Sequence, residues 1–167
     1  MLRAALGAVM LLAAAVAQAT WMANLEVAGA FPNLVLLAIV AVAWVEGARP
    51  AMALACAGGL LLDLMSPGPV GPHAFALVAV AYLAGFWSRN LDRHGAIYVA
   101  LSAAAGTALY SAVLAGSNEV FGLPVPALDS FGRLTLAACA YNALLMPIAA
   151  GVARRLNAIT RGAAQPV

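Results

Sequence analysis

Apolar residues run along this chain in six blocks, each closed by a short interruption rich in Pro, Gly or charge. The blocks predict helices over residues 4–22, 31–45, 51–65, 74–87, 95–115 and 131–152, an all-α bundle in a single domain. A hydrocarbon core of about 30 Å takes about 20 apolar residues per helical crossing. The third and fourth blocks are short by that measure, so they either extend into neighbouring loop residues or form a re-entrant hairpin.

Within the third block, Ala51, Ala55, Gly59 and Asp63 are spaced four apart. On a helix they share one face, so the lone acid continues a stripe of small side chains that a second helix can approach closely. Asp63 should point at protein. The fifth block repeats the spacing with Ala100, Ala104, Ala108 and Ala112. Pro32 suits a first helical turn, where its missing N–H costs nothing. Asp129 or Ser130 can cap the sixth helix, and Pro147 predicts a kink within it.

Composition turns this pattern into a membrane protein. Of 167 residues, 65% are hydrophobic and 8% charged, which a water-soluble surface does not tolerate. All eight basic residues are Arg. With both termini in the cytoplasm, Arg3, Arg49, Arg89, Arg93, Arg154, Arg155 and Arg161 lie inside and Arg133 outside, the sense of the positive-inside rule. A net charge of +2, scattered over the chain, argues against nucleic acid as a partner. Ala17-Gln18-Ala19 looks like a signal-peptidase site. A cleaved signal would leave an odd number of spans, so an uncleaved first span is expected.

Candidate chemistry is sparse. An intramembrane charge is expensive, so Asp63 has either a functional partner or a structural one, the latter by accepting N–H bonds from the Ser66-Pro67-Gly68 turn. Pro67, Gly68, Pro69, Gly71 and Pro72 form a stiff loop, either a docking surface or a tight connection. Asn142, Tyr141, Thr107, Tyr110, Ser111 and Asn33 are expected to hydrogen-bond between helices. Trp21, Trp44, Trp87 and Tyr82 fit an aromatic belt at span ends. His73 and His94 fall in opposite loops and are expected to be solvated, and Cys56 and Cys139 to be small packing residues. There is no Lys, hence no phosphate loop ending in Lys, and no Gly-x-Ser-x-Gly, His-Glu-x-x-His or paired intramembrane carboxylate. The residues therefore imply no catalytic group, no cofactor and no metal.

Residues 30–86 carry a resemblance. Pro32-Asn33-Leu34, Gly58-Gly59-Leu60-Leu61-Leu62-Asp63-Leu64, Gly68-Pro69-Val70-Gly71 with His73-Ala74, and Tyr82-Leu83-Ala84-Gly85 occur in an order that resembles the rod shape-determining protein MreD family. Asn33 stands where that family commonly has Asp. The resemblance implies a non-enzymatic subunit of the wall-elongation machinery in the bacterial inner membrane. Its expected partners are MreC and, through it, the transpeptidase and glycosyltransferase pair and MreB filaments, with membrane lipid around it; monomer and homodimer both stay open. The resemblance also implies a fold similar to the substrate-binding subunits of energy-coupling-factor vitamin transporters. Two functions follow. In the first, small-residue faces and the Pro/Gly loop hold partner helices. In the second, the chain is a transport subunit whose few polar groups, Asp63, Tyr141 and Asn142, bind a small molecule. A lipid-precursor flippase, needing central basic groups, has only Arg133 in its favour.

Overall fold

The computed structural model describes residues 2–21, 31–91 and 95–162. Among the described residues six helices follow one another: α1 (Leu2–Trp21), α2 (Leu34–Val45), α3 (Ala48–Met65), α4 (Pro72–Asn90), α5 (Ala96–Val120) and α6 (Leu128–Gly162). Helices α3, α5 and α6 are long and apolar enough to cross a membrane. The loop between α5 and α6 is shorter than the sequence suggests, because α5 continues to Val120 and α6 already begins at Leu128. Asp129 consequently lies inside the first turn of α6 and does not cap it. Helix α6 runs on through Pro147 as one helix.

The arrangement is a ring around a centre. Helix α2 touches each of the other five, while α1 packs on α3, α3 on α4, α4 on α5, α5 on α6, and α6 on α1. The sequence of α2, LVLLAIVAVAWV, has no polar face, and a helix that is apolar all round belongs in an interior. Every residue from Val35 to Trp44 is buried. At 12 residues α2 is about 18 Å long by helical rise, shorter than a bilayer core. Trp44, expected in an interfacial belt, is 3% exposed and donates its indole N–H to Ser102 Oγ at 3.1 Å. A buried indole needs an acceptor, and α5 supplies it. Tyr82, by contrast, is exposed along α4.

The stripe predicted on α3 faces α4. Ala51, Ala55, Gly59 and Asp63 are all buried. A Cβ placed on Gly59 would overlap the Ala74 backbone, and one on Gly85 would overlap Ala48. These two glycines therefore let α3 and α4 meet at both ends of an antiparallel pair. Since lipid tails are as apolar as Leu, such close van der Waals contact is what holds membrane helices together. The stripe is thus spent inside the chain and is not a face for a partner helix. On α5 the buried set is Val99, Ser102, Ala103, Gly106 and Thr107, whereas Ala108 and Ala112 of the predicted Ala face are exposed. Cys56 is exposed, contrary to a packing role, and Cys139 is half-buried with its thiol donating to the Ala104 carbonyl.

Outside the ring, Leu64, Phe75, Tyr82, Phe86, Ile97, Leu101, Leu144, Ile148 and Ile159 are exposed, the surface a bilayer would cover. One end of the bundle carries Arg49, Arg89, Arg154 and Arg155; the 66–71 loop marks the other.

Gly59→Ala is expected to lower thermal stability in detergent by about 1–3 kcal/mol, the usual cost of overpacking. Gly151→Ala, where a Cβ meets nothing within 4 Å, should be neutral or slightly stabilising. Equal melting temperatures for the two variants would contradict the close α3–α4 approach.

Candidate functional site

The first turn of any helix leaves N–H groups without intrahelical partners. In lipid no water is present to take them, so each must find an acceptor in the protein. At the end opposite the arginines, the chain meets this demand with side chains from several helices.

Helix α4 begins at Pro72, which has no N–H to satisfy. The next two amides, of His73 and Ala74, donate to Asp63 Oδ1 at 2.9 Å and Asp63 Oδ2 at 3.2 Å. The fourth, of Phe75, donates to the Gly71 carbonyl at 2.8 Å. Asp63 therefore caps α4 from the last turn of α3. The sequence pointed to a structural carboxylate but to the wrong donors: the amides come from beyond the Pro/Gly loop. Gly71 makes the approach possible, because its φ of 128° is a conformation that side-chain-bearing residues rarely adopt. Gly68 is exposed with nothing near it, and Pro69 is half-buried.

Helix α2 is capped by side chains as well. Asn33 is its N-cap, with Oδ1 accepting from Leu36 N at 2.9 Å. Pro32 accordingly precedes the cap and does not occupy the first turn. The Asn33 N–H donates to Asn142 Oδ1 at 3.0 Å, and the Val35 N–H to Gln18 Oε1 at 3.3 Å. Asn142 is fully buried, and its Nδ2 donates to Thr107 Oγ1 at 2.9 Å, which in turn donates to the Ala103 carbonyl. One amide side chain thereby ties α6 to both α2 and α5.

A second strand of contacts links the two caps. His73 Nδ1 lies 2.6 Å from Tyr110 Oη and its Nε2 lies 3.4 Å from Ser66 Oγ. Thr107, which accepts from Asn142, lies three residues before Tyr110 on α5, so this helix meets both caps. His73, expected in solvent, is half-buried at the start of α4, with its ring tilted 33° to that of Tyr110. All six helices thus contribute: Gln18, Asn33, Asp63, His73, Thr107 with Tyr110, and Asn142. Of the residues singled out from the sequence, Asp63, Asn33, Asn142, Thr107 and Tyr110 enter this joint, Gly59 and Ala55 line the face beneath it, and Gly71 sets its loop.

Each buried polar atom of the joint has a partner. Among the described residues no buried side-chain nitrogen or oxygen lacks a hydrogen-bond partner, and no three of His, Cys, Asp and Glu gather as a metal site would require. Tyr141, the other polar candidate, is half-buried. Chemically, this arrangement fixes helix ends in register.

Asp63→Leu is expected to destabilise by about 1–3 kcal/mol, the penalty for buried donors left unpaired, and Asp63→Asn by less than half of that because one acceptor oxygen survives. Thermal unfolding in detergent distinguishes them; equal losses would show that the carboxylate oxygens do not act as caps.

Comparison with known proteins follows this geometry. No curated protein matches the chain. No solved structure matches it, so the fold expected from vitamin-transporter subunits has no counterpart beside it. The family model for rod shape-determining protein MreD matches residues 1–131, which takes in α1 to α5, the α3–α4 pair and both capped helix starts. The chain belongs to the MreD family of rod shape-determining membrane proteins.

Proposed function

We propose that this rod-shape protein works without turnover, as an inner-membrane platform that binds MreC and, through it, organises the peptidoglycan synthases and MreB filaments. The observation that carries this reading is the polar joint: its groups bond one another and hold helix ends in place. A transport subunit would instead need convergent polar groups facing a cavity.

The partner surface is then on the outside of the ring. Helices α2, α3 and α4 end near the joint, whereas α5 runs ten residues past Tyr110 and α6 starts fourteen before Asn142, extensions of about 15 and 21 Å by helical rise. This hairpin exposes Val120, Phe121, Leu128 and Leu136, with Leu128 at 84%. A projecting apolar hairpin on a rigid base suits the docking of a single-span partner.

Purification of the tagged protein from its own membranes in gentle detergent, followed by mass spectrometry, should recover MreC with the elongation synthases. Recovery of paired ATPases with a coupling subunit would replace the platform by a transporter. Leu128→Glu, at an exposed position where stability changes by no more than about 0.5 kcal/mol, should reduce MreC recovery. Undiminished recovery would remove the hairpin from the interface.

A further inference from the structure

The ring around α2 has one weak seam. Among the described residues, α1 and α6 meet less than any other neighbouring pair. At the Arg-rich end this seam opens into a cleft of about 390 Å³, bounded by α1, the end of α2, the start of α3 and the end of α6. Met10, Val42, Val45, Leu54, Ala153 and Leu156 form its walls. Its polar lining residues are Glu46, with an exposed side chain, and Asn157 and Thr160, both buried. Arg49 is exposed three residues beyond Glu46, on the first turn of α3.

Most of the wall offers no hydrogen bonds to replace those a polar solute would lose from water. An apolar chain with a polar head at the mouth suits such a cleft. The head is selected by charge: Glu46 would repel a purely anionic group but attract an ammonium, while Arg49 attracts a phosphate.

We propose that this seam holds one acyl chain of an aminophospholipid from the leaflet at the Arg-rich end, with the headgroup ammonium at Glu46 and the phosphate toward Arg49. The lipid completes the ring where α1 and α6 leave it open, and so covers the half-buried Val45 at the end of the central helix. This site is separate from the polar joint at the opposite end and does not depend on partner binding.

The test uses the full chain in nanodiscs of equal parts phosphatidylethanolamine and phosphatidylglycerol, with a photoactivatable acyl chain on one lipid or the other and crosslinks mapped by mass spectrometry. The ethanolamine lipid should label residues 42–54 and 153–160 in preference to other exposed faces. Glu46→Gln should reduce its preference over the glycerol lipid by about three-fold, the scale of an exposed ion pair. Ala53→Trp, which adds bulk at the cleft wall, should abolish the crosslink, and Leu136→Trp, on the far part of α6, should leave it intact. Labelling spread over all apolar faces, equal labelling by both lipids, or an unchanged preference in Glu46→Gln would overturn the proposal. Should Ala53→Trp fail to fold, the Glu46→Gln comparison decides alone.

Discussion

Helix beginnings buried inside a bundle have amides that only protein can satisfy. That constraint governs this bundle. Helix α2 is short and central, and α4 starts immediately after a Pro/Gly loop, so both expose first-turn N–H groups at one end of the ring. Asp63 answers for α4; Asn33, Asn142 and Gln18 answer for α2. Because the acceptors come from other helices, satisfying the backbone also sets which helices lie side by side and at what height. The cost of an intramembrane acid is offset by two amides and a helix N-terminus, whose dipole favours negative charge.

Below the joint, shape takes over from hydrogen bonding. The close approaches at Gly59 and Gly85 join α3 to α4, and Gly106 lets α5 meet Val80 of α4. Around them α2 is packed from every side. A bundle held at one end by directional bonds and along its length by close packing is stiff, which is what a platform for partner proteins requires.

Much of this was legible in the sequence where the signal is local. The four-residue spacing of Ala51, Ala55, Gly59 and Asp63 located a packed face, and Tyr82-Leu83-Ala84-Gly85 contained the second contact glycine. Asn142 stood out as a polar group in an apolar run, but its partner Asn33 is 109 residues away and no local pattern couples them. Trp44 and His73 were misjudged for the same reason: rules for belts and loops treat one position at a time, whereas Ser102 and Tyr110 decide these two environments from other helices. The Ala spacing on α5 misled because Ala is also a good helix former on a lipid-facing surface. The central place of α2 had a signal, its apolarity on every face, which a count of spans passes over.

The most direct measurement is amide hydrogen exchange of the intact protein in nanodiscs. The joint predicts that the N–H groups of Asn33, Val35, Leu36, His73 and Ala74 are protected as strongly as those within α2, although all five lie at helix starts. Exchange at these positions as fast as in the exposed 66–70 loop would contradict it, and with it the account of how the six helices are held together.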